Sequence, residues 1–291
     1  ILVELQRIAS HLVWLGTHAL DLAAMSLFLY CFREREYILD ILEMCSGQRM
    51  MTTFFRPGGL WRDVPEDFEL AVRRFLRMMP ARIDQYHALL TKNPIFMDRT
   101  RKIGVINAEN AVLWGLTGPT LRGSGPAIDL RKTQPYSGYE QYEFDVPTGT
   151  HGDVYDRYLV RMEEMRQSLR IVQQALDKLP LGPVRDNNRK YVPPPRAELG
   201  TSMEAVIHHF KLWTEGFQLP KGAVYSPIES PRGELGVYLE SDGGTHPHRV
   251  HWRTPSFVHL QALPVLARGH LVADLVGIIG SVDIVLGDSD R

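Results

Sequence analysis

The sequence predicts a mainly α-helical protein with a small antiparallel β-sheet, an α+β arrangement in which helices dominate. Two observations lead there. Long stretches repeat apolar residues every three or four positions, as one face of an α-helix requires. One region alone, about residues 222–253, reads as three strand-like runs, divided by "SPRG" and "DGG" into a meander. The chain of 291 residues has room for one large domain or two modest ones; one domain is expected, with a helical core over about 1–180 and 200–220, the meander, and a helical segment over 254–291.

The first element is helical from its first residues. Leu2, Leu5, Ile8, Leu12 and Leu15 share a face, and the rhythm predicts one helix to about residue 30, roughly 45 Å long. It opens with neither Met nor a capping residue, which suggests a piece of a longer protein. "FREREYILDILEMCSGQRM" is a second helical stretch that Gly47 can stop. "FFRPGGLWRDVP" is a turn flanked by Arg56 and Arg62. Residues 65–90 are helical again, with a bend expected at Pro80. Residues 117–150 read as a long loop rich in Gly, Pro and Tyr. "GDVYDRYLVRMEEMRQSLRIVQQALDKLP" is the clearest amphipathic helix, its apolar stripe running from Tyr158 through Met162, Met165, Leu169 and Val172 to Leu176, with Asp153 and Arg157 an i,i+4 pair. A proline-rich connector follows. Thr201 and Glu204 suggest a capping box for "MEAVIHHFKLWTEGF", and Pro255 suits the first turn of a helix after the meander.

Composition excludes several functions. A net charge of −1 gives no basic footprint for nucleic acid and no polybasic membrane patch. No stretch resembles a signal peptide or an apolar span, so a membrane connection is expected to run through partners. Cys31 and Cys45 cannot make a disulfide framework or hold a cluster. His246, His248 and His251 lie close together, but strand periodicity sends the third to the opposite face. Adjacent His208 and His209 predict one core and one surface ring. "LRGSGPA" lacks the context of a phosphate loop.

Two carboxylates stand out. On the first helix, Thr17, Asp21, Ala24 and Phe28 fall on one face, mixing a hydroxyl, a carboxylate and an aromatic ring. Asp283 sits between Val282 and "IVL", close to the last residue. The ordinary reading of a helix aspartate is a solvated or Arg-paired group. The alternative is a pair of polar anchors in one apolar cavity, since unpaired burial costs several kcal/mol, about 2–7 for a neutral polar group and more for a charge.

Taken together, "ELQRIASHLVWLGTHALDLAAM", "REREYILDILEMCSGQRM", "RPGGL", "TGPTLRGSG", "GDVYDRYLVRMEEMRQS", "IHHFK", "ESPRGELGVYLESDGG", "RTPSF" and "DIVLGDSDR" resemble, in order along the whole chain, the 49 kDa (D-type) subunit of respiratory complex I, the NADH–quinone oxidoreductase. The resemblance implies a helical-bundle core of the nickel–iron hydrogenase large-subunit type. It also implies a peripheral-arm subunit, on the cytoplasmic face of a bacterial membrane, of a proton-translocating enzyme. Hydrogenase large subunits end in Asp-Pro-Cys-x-x-Cys. Here those cysteines fall at Val285 and Asp288, which cannot replace thiolates at nickel. The old metal cavity then becomes the chamber for a quinone headgroup.

On that likeness Thr17, Asp21, Met25 and Phe28 line the chamber from one side, and Asp283 and Val285 from the C-terminal end. Asp21 is the candidate catalytic residue, holding a histidine of an N-terminal region that this chain lacks. Arg49, Met51 and Arg56 face a 4Fe–4S cluster carried by the neighbouring small iron–sulfur subunit; mitochondrial members have a histidine at Met51. Ala23 and Leu27 depart from the Gly and Pro that many members carry. The chain is expected to bind no metal or cofactor itself. NADH and FMN belong elsewhere in the complex, quinone is the substrate, and the other partners are the 30 kDa-type subunit and the membrane subunit where quinone enters. An isolated chain should be inactive. A hydrogenase-type enzyme and a purely structural assembly subunit are the alternatives.

Overall fold

A computed structural model describes residues 1–290. The elements follow in order: α1 (Leu2–Asp21), α2 (Met25–Ser46), the ribbon β1 (Phe55–Arg56) and β2 (Gly59–Leu60), and α3 (Phe68–Leu90). Four short helices come next: α4 (Pro94–Asp98), α5 (Ala108–Leu113), α6 (Gly118–Arg122) and α7 (Leu130–Thr133). Then come α8 (Val154–Asp177), α9 (Met203–Thr214), the meander β3 (Gly222–Ser230), β4 (Gly233–Ser241) and β5 (Arg249–Arg253), and α10 (Pro255–Gln261), α11 (Leu263–Ala267), α12 (Val272–Val282) and α13 (Leu286–Asp290). The mainly helical class with a small antiparallel sheet is as the sequence predicts.

The main core joins α1, α2, α3 and α8. Leu5, Ile8, Leu12 and Leu15 of α1 are fully buried, and the stripe of α8 from Tyr158 to Leu176 meets them. Burying a Leu or Ile side chain stabilises by about 1.5–3 kcal/mol, so these stripes hold the bundle together. Gly47 ends α2 with φ 77°, in the left-handed cap its sequence position suggests. Pro80 lies inside α3, and the helix runs through it to Leu90.

Several expectations are corrected. The first helix does not reach residue 30; it stops at Asp21, and the chain turns through Leu22–Ala24 before α2. Ala23 adopts φ 68°, a left-handed conformation that no helix can propagate. Gly16 then lies against Phe28 and Cys31, so α1 and α2 form an antiparallel hairpin. The cap of α9 is Ser202, not Thr201: its Oγ accepts from Ala205 N at 3.3 Å, while the Thr201 hydroxyl donates to Glu198 O. Asp153 does not pair with Arg157; it caps α8, accepting from Asp156 N at 2.8 Å and from Lys102 N at 2.9 Å. His208 and His209 are both half-buried. The loop of 117–150 holds α6, α7 and a 3₁₀ turn.

The meander places two motifs in register. β3 pairs with β4 from Gly222↔Ser241 to Ser230↔Gly233, and β4 pairs with β5. The resulting hairpin tip meets the start of α6. A Cβ on Gly118, at φ 61°, would fall 2.4 Å from Gly233 Cα, so "TGPT" and "PRGE" touch backbone to backbone. Thr117 Oγ1 accepts from Glu234 N at 3.0 Å across that contact.

Candidate functional site

The C-terminal helices are bound into the molecule. Trp14 Nε1 donates to Gly280 O at 2.6 Å, joining α1 to α12. Gly280 is required there, because a Cβ would fall 2.4 Å from His18 Nδ1. His18 stacks on Trp14 with ring centroids 5.4 Å apart. Asp288 Oδ2 accepts from Ser256 N at 3.0 Å, fixing α13 to α10.

Asp283 ends α12 in a left-handed conformation, φ 55°, and is only 6% exposed. Arg232 Nε donates to its backbone oxygen at 3.1 Å and Nη2 lies 3.6 Å from Oδ1, whereas Oδ2 has no partner. Burial pushes the carboxyl above its ordinary range, although Arg232, Arg161 and His11 pull the other way. Arg161 is itself fully buried, over the Trp14 ring at 4.5 Å, and forms no ion pair among the described residues. Burial, with Asp283 and Glu164 only partly compensating, lowers it to about 10. A proton at Asp283 is therefore held by desolvation and released by the cations beside it.

Of the other expected chamber residues, all but Val285 lie elsewhere, on the α1–α2 hairpin. Thr17 is exposed and its hydroxyl donates to Val13 O and Trp14 O. Asp21 is exposed at the end of α1, and Met25, 68% exposed, follows the turn. Phe28 is half-buried against Phe32, with centroids 4.4 Å apart. Val285 is 39% exposed. Thr17, Asp21 and Met25 thus mark one open end of the hairpin. Asp283 faces the His11 stretch of α1, ten residues or roughly 15 Å along the axis from Asp21. Of the two aspartates expected to be buried together, Asp283 is buried and Asp21 is not. The reason is the turn at Ala23, which ends the shared helical face before Ala24 and Phe28.

Of the residues expected near a neighbouring cluster, Arg49 is not a free cation. Glu36, Asp40 and Glu43, spaced along one face of α2, all hold its guanidinium, Asp40 at 3.0 Å and Glu43 at 3.1 Å. Met51 is 83% exposed. Arg56 is exposed, with its guanidinium 5.6 Å from the Trp61 ring centre.

The largest feature that the sequence reading misses is a buried ionic network between α1, α8 and the loop of residues 117–150. Glu4 Oε2 accepts from Arg7 Nε and Arg131 Nη1, each at 3.2 Å, and from Ser168 Oγ at 2.7 Å; the Tyr139 hydroxyl donates to Oε1. Burial alone would push Glu4 up, but Arg7, Arg131 and the two hydroxyls hold it down at about 2. Glu164 accepts from Arg122 Nη2 at 2.8 Å, from Arg131 Nη2 at 3.1 Å and from His11 Nε2 at 2.7 Å. Burial alone would push Glu164 up, but Arg122, the hydrogen bond from His11 and Arg7 hold it well below its ordinary range. An ionised carboxylate only accepts, so His11 carries its proton on Nε2 and its buried Nδ1 is left without a partner. Arg122 Nη1 continues to Glu229 on β3 at 2.7 Å. A signal was present: Glu4, Arg7 and His11, like Arg157, Arg161, Glu164 and Ser168, recur at helical spacing beside the apolar stripes. Periodicity alone assigns such a face to water.

Among the described residues no group of three or more His, Cys, Asp or Glu is placed to hold a metal ion, and no helix is long and apolar enough to cross a membrane. Both cysteines are buried thiols that burial pushes up.

Comparison with known proteins matches this sequence to one family. The profile described as "Respiratory-chain NADH dehydrogenase, 49 Kd subunit" matches residues 21–291. The D subunit of a Roseiflexus sp. (strain RS-1) NADH-quinone oxidoreductase is 63% identical over the whole of this chain, which spans 70% of that relative. The D subunits of the Chloroflexus aurantiacus and Thermus thermophilus enzymes are 60% and 57% identical, with 72% and 71% of their lengths covered. With most of the chain inside the profile and relatives at this level of identity, the chain belongs to the 49 kDa subunit family of the respiratory-chain NADH dehydrogenase, the NADH–quinone oxidoreductase.

Proposed function

We propose that this chain forms one wall of the quinone-headgroup chamber in a proton-translocating NADH–quinone oxidoreductase, peripheral to the membrane on its cytoplasmic face. The observation that carries the reading is Asp283: a buried carboxylate with one unpartnered oxygen, set between Arg232, Arg161 and His11 at the end of an apolar helix. A pocket of low polarity with a few convergent polar groups suits a flat ring on an apolar tail. Asp21, Thr17, Met25 and Phe28 present the open end of the α1–α2 hairpin to the same ligand. Asp21 holds and orients a histidine of the family's N-terminal region, raising its basicity for proton delivery. Asp283 and Val285 line the opposite side, and Asp283, kept protonatable by burial, supplies or takes a proton as the quinone is reduced. Electrons arrive from a 4Fe–4S cluster in the small iron–sulfur subunit, near Arg49, Met51 and Arg56. NADH and FMN serve other parts of the complex, and the 30 kDa-type subunit and a membrane subunit complete the surroundings.

The test is substitution in the assembled complex. Asp283→Asn and Asp21→Asn should each lower quinone reduction about tenfold or more with assembly intact, the scale of lost proton transfer or lost orientation. Normal rates in both variants would instead favour a purely structural subunit, the reading to which the exposure of Asp21 gives most support.

A further inference from the structure

A cavity of about 460 Å³ lies away from Asp21 and Asp283, between the β1–β2 ribbon, the proline-rich connector and α9. Arg56, Arg185 and Arg196 line it together with Trp61 and Trp213, and no Asp or Glu does. None of the three arginines makes an ion pair among the described residues. Two are held by backbone oxygens: Arg185 Nε donates to Leu60 O at 2.7 Å, and Arg56 Nε to Thr53 O at 3.3 Å. Their terminal nitrogens stay uncommitted. Three guanidinium forks around one cavity without a counter-charge select carboxylates, which they can grip two-point.

α9 extends the same surface. Only Ala205 of its residues is buried, whereas Met203, Ile207, Phe210 and Trp213, at helical spacing, are 81, 48, 63 and 68% exposed. The apolar stripe of this helix therefore faces outward. An apolar patch of this kind marks an interaction surface. Its 12 residues span about 18 Å, longer than a small ligand needs, and Trp213 belongs to both cavity and stripe.

We propose that this cavity and the outer face of α9 form one docking site for an apolar segment of another subunit of the complex, anchored by its own Asp or Glu side chains among Arg56, Arg185 and Arg196. The partner lies along the stripe and its carboxylates neutralise the arginines. This inference uses the family assignment alone and stands or falls apart from the quinone chamber, none of whose proposed residues lines the cavity.

The experiment uses the full-length subunit in the whole complex. Arg185→Glu with Arg196→Glu should cut co-purification of this subunit with the others at least tenfold, while Arg185→Lys with Arg196→Lys retains most of it. Equal recovery of the reversed-charge and wild-type proteins, or equal loss in both doubles, overturns the proposal. Because reversal could also weaken the fold, Trp213 is separately replaced by p-benzoylphenylalanine and irradiated in the assembled complex. A cross-link to an Asp- or Glu-bearing peptide of another subunit is expected. Cross-links only to lipid, to quinone or within this same chain, or no cross-link, overturn it.

Discussion

Asp283 and Glu4 are both buried carboxylates, yet their surroundings drive them in opposite directions. Glu4 lies within reach of two guanidinium groups and two hydroxyls, which more than offset its desolvation. Its folded value, about 2, lies below the ordinary 4.5, so it contributes stability above pH 4.5 that is lost as the pH falls from there toward 2. A shift of this size corresponds to roughly 3 kcal/mol. Glu4→Gln should therefore unfold more readily at pH 7 by a few kcal/mol, and its acid limb should be flatter than wild type in denaturant titrations between pH 2 and 5. Asp283 has the reverse sign. Its folded value is raised, so the native state holds more protons than the unfolded chain, and stability declines as pH rises from about 3.8 through the folded value. Asp283→Asn removes that decline. Its stability relative to wild type should thus improve as the pH is raised from 4 to 7, measured by thermal melting, even as quinone reduction falls in the assembled complex. A constant difference across that range would show that Asp283 does not titrate as a buried acid.

The helices show what periodicity can and cannot reveal. Apolar stripes such as Leu5–Ile8–Leu12–Leu15 are legible because burial of one face is the commonest reason for a 3.6-residue rhythm. The ionic face of α1 has the same spacing but is satisfied by Arg131, Tyr139, Glu164 and Ser168 from more than a hundred residues away, and no local signal reports a partner so distant. The end of α1 is a subtler case. Leu12, Leu15, Ala19 and Leu22 keep the three-and-four rhythm up to the turn, so only the backbone conformation of Ala23 reveals the break. An L-residue at φ 68° is strained by about 1–2 kcal/mol relative to glycine. Ala23→Gly should accordingly stabilise the chain by up to about 1 kcal/mol, the rest being offset by the greater freedom of glycine when unfolded. A lower melting temperature for this variant would mean that the Ala23 methyl makes contacts worth more than the strain. The converse substitution, Gly280→Ala, should be harmful, because His18 cannot retreat from between Trp14 and Phe96. Overpacking of this kind costs about 1–3 kcal/mol.

At the scale of the whole molecule, the resemblance spread along the chain was enough to place it in its family, but the site needed the folded structure. The sequence marks Asp283 as odd, and burial beside Arg232 and Arg161 supplies the reason. It also marks Asp21, whose carboxylate the structure leaves open at the hairpin end. The residues beside the β1–β2 ribbon bear in the same way on the proposed entry of electrons. Arg49 is neutralised by three acids of α2, and Met51, 83% exposed, puts a thioether where mitochondrial members have a histidine. A histidine there could take a proton as an electron arrives, since its ordinary pKa near 6.5 lies in the physiological range. Full one-proton coupling would move the cluster potential by about 59 mV per pH unit. Methionine has no proton to exchange. Redox titration of the assembled complex between pH 6 and 8 should therefore give a slope well below that limit for the cluster proposed to face this surface. Met51→His should steepen it. A steep slope in the unaltered complex would place the titrating group elsewhere and remove Met51 from the electron-transfer surface.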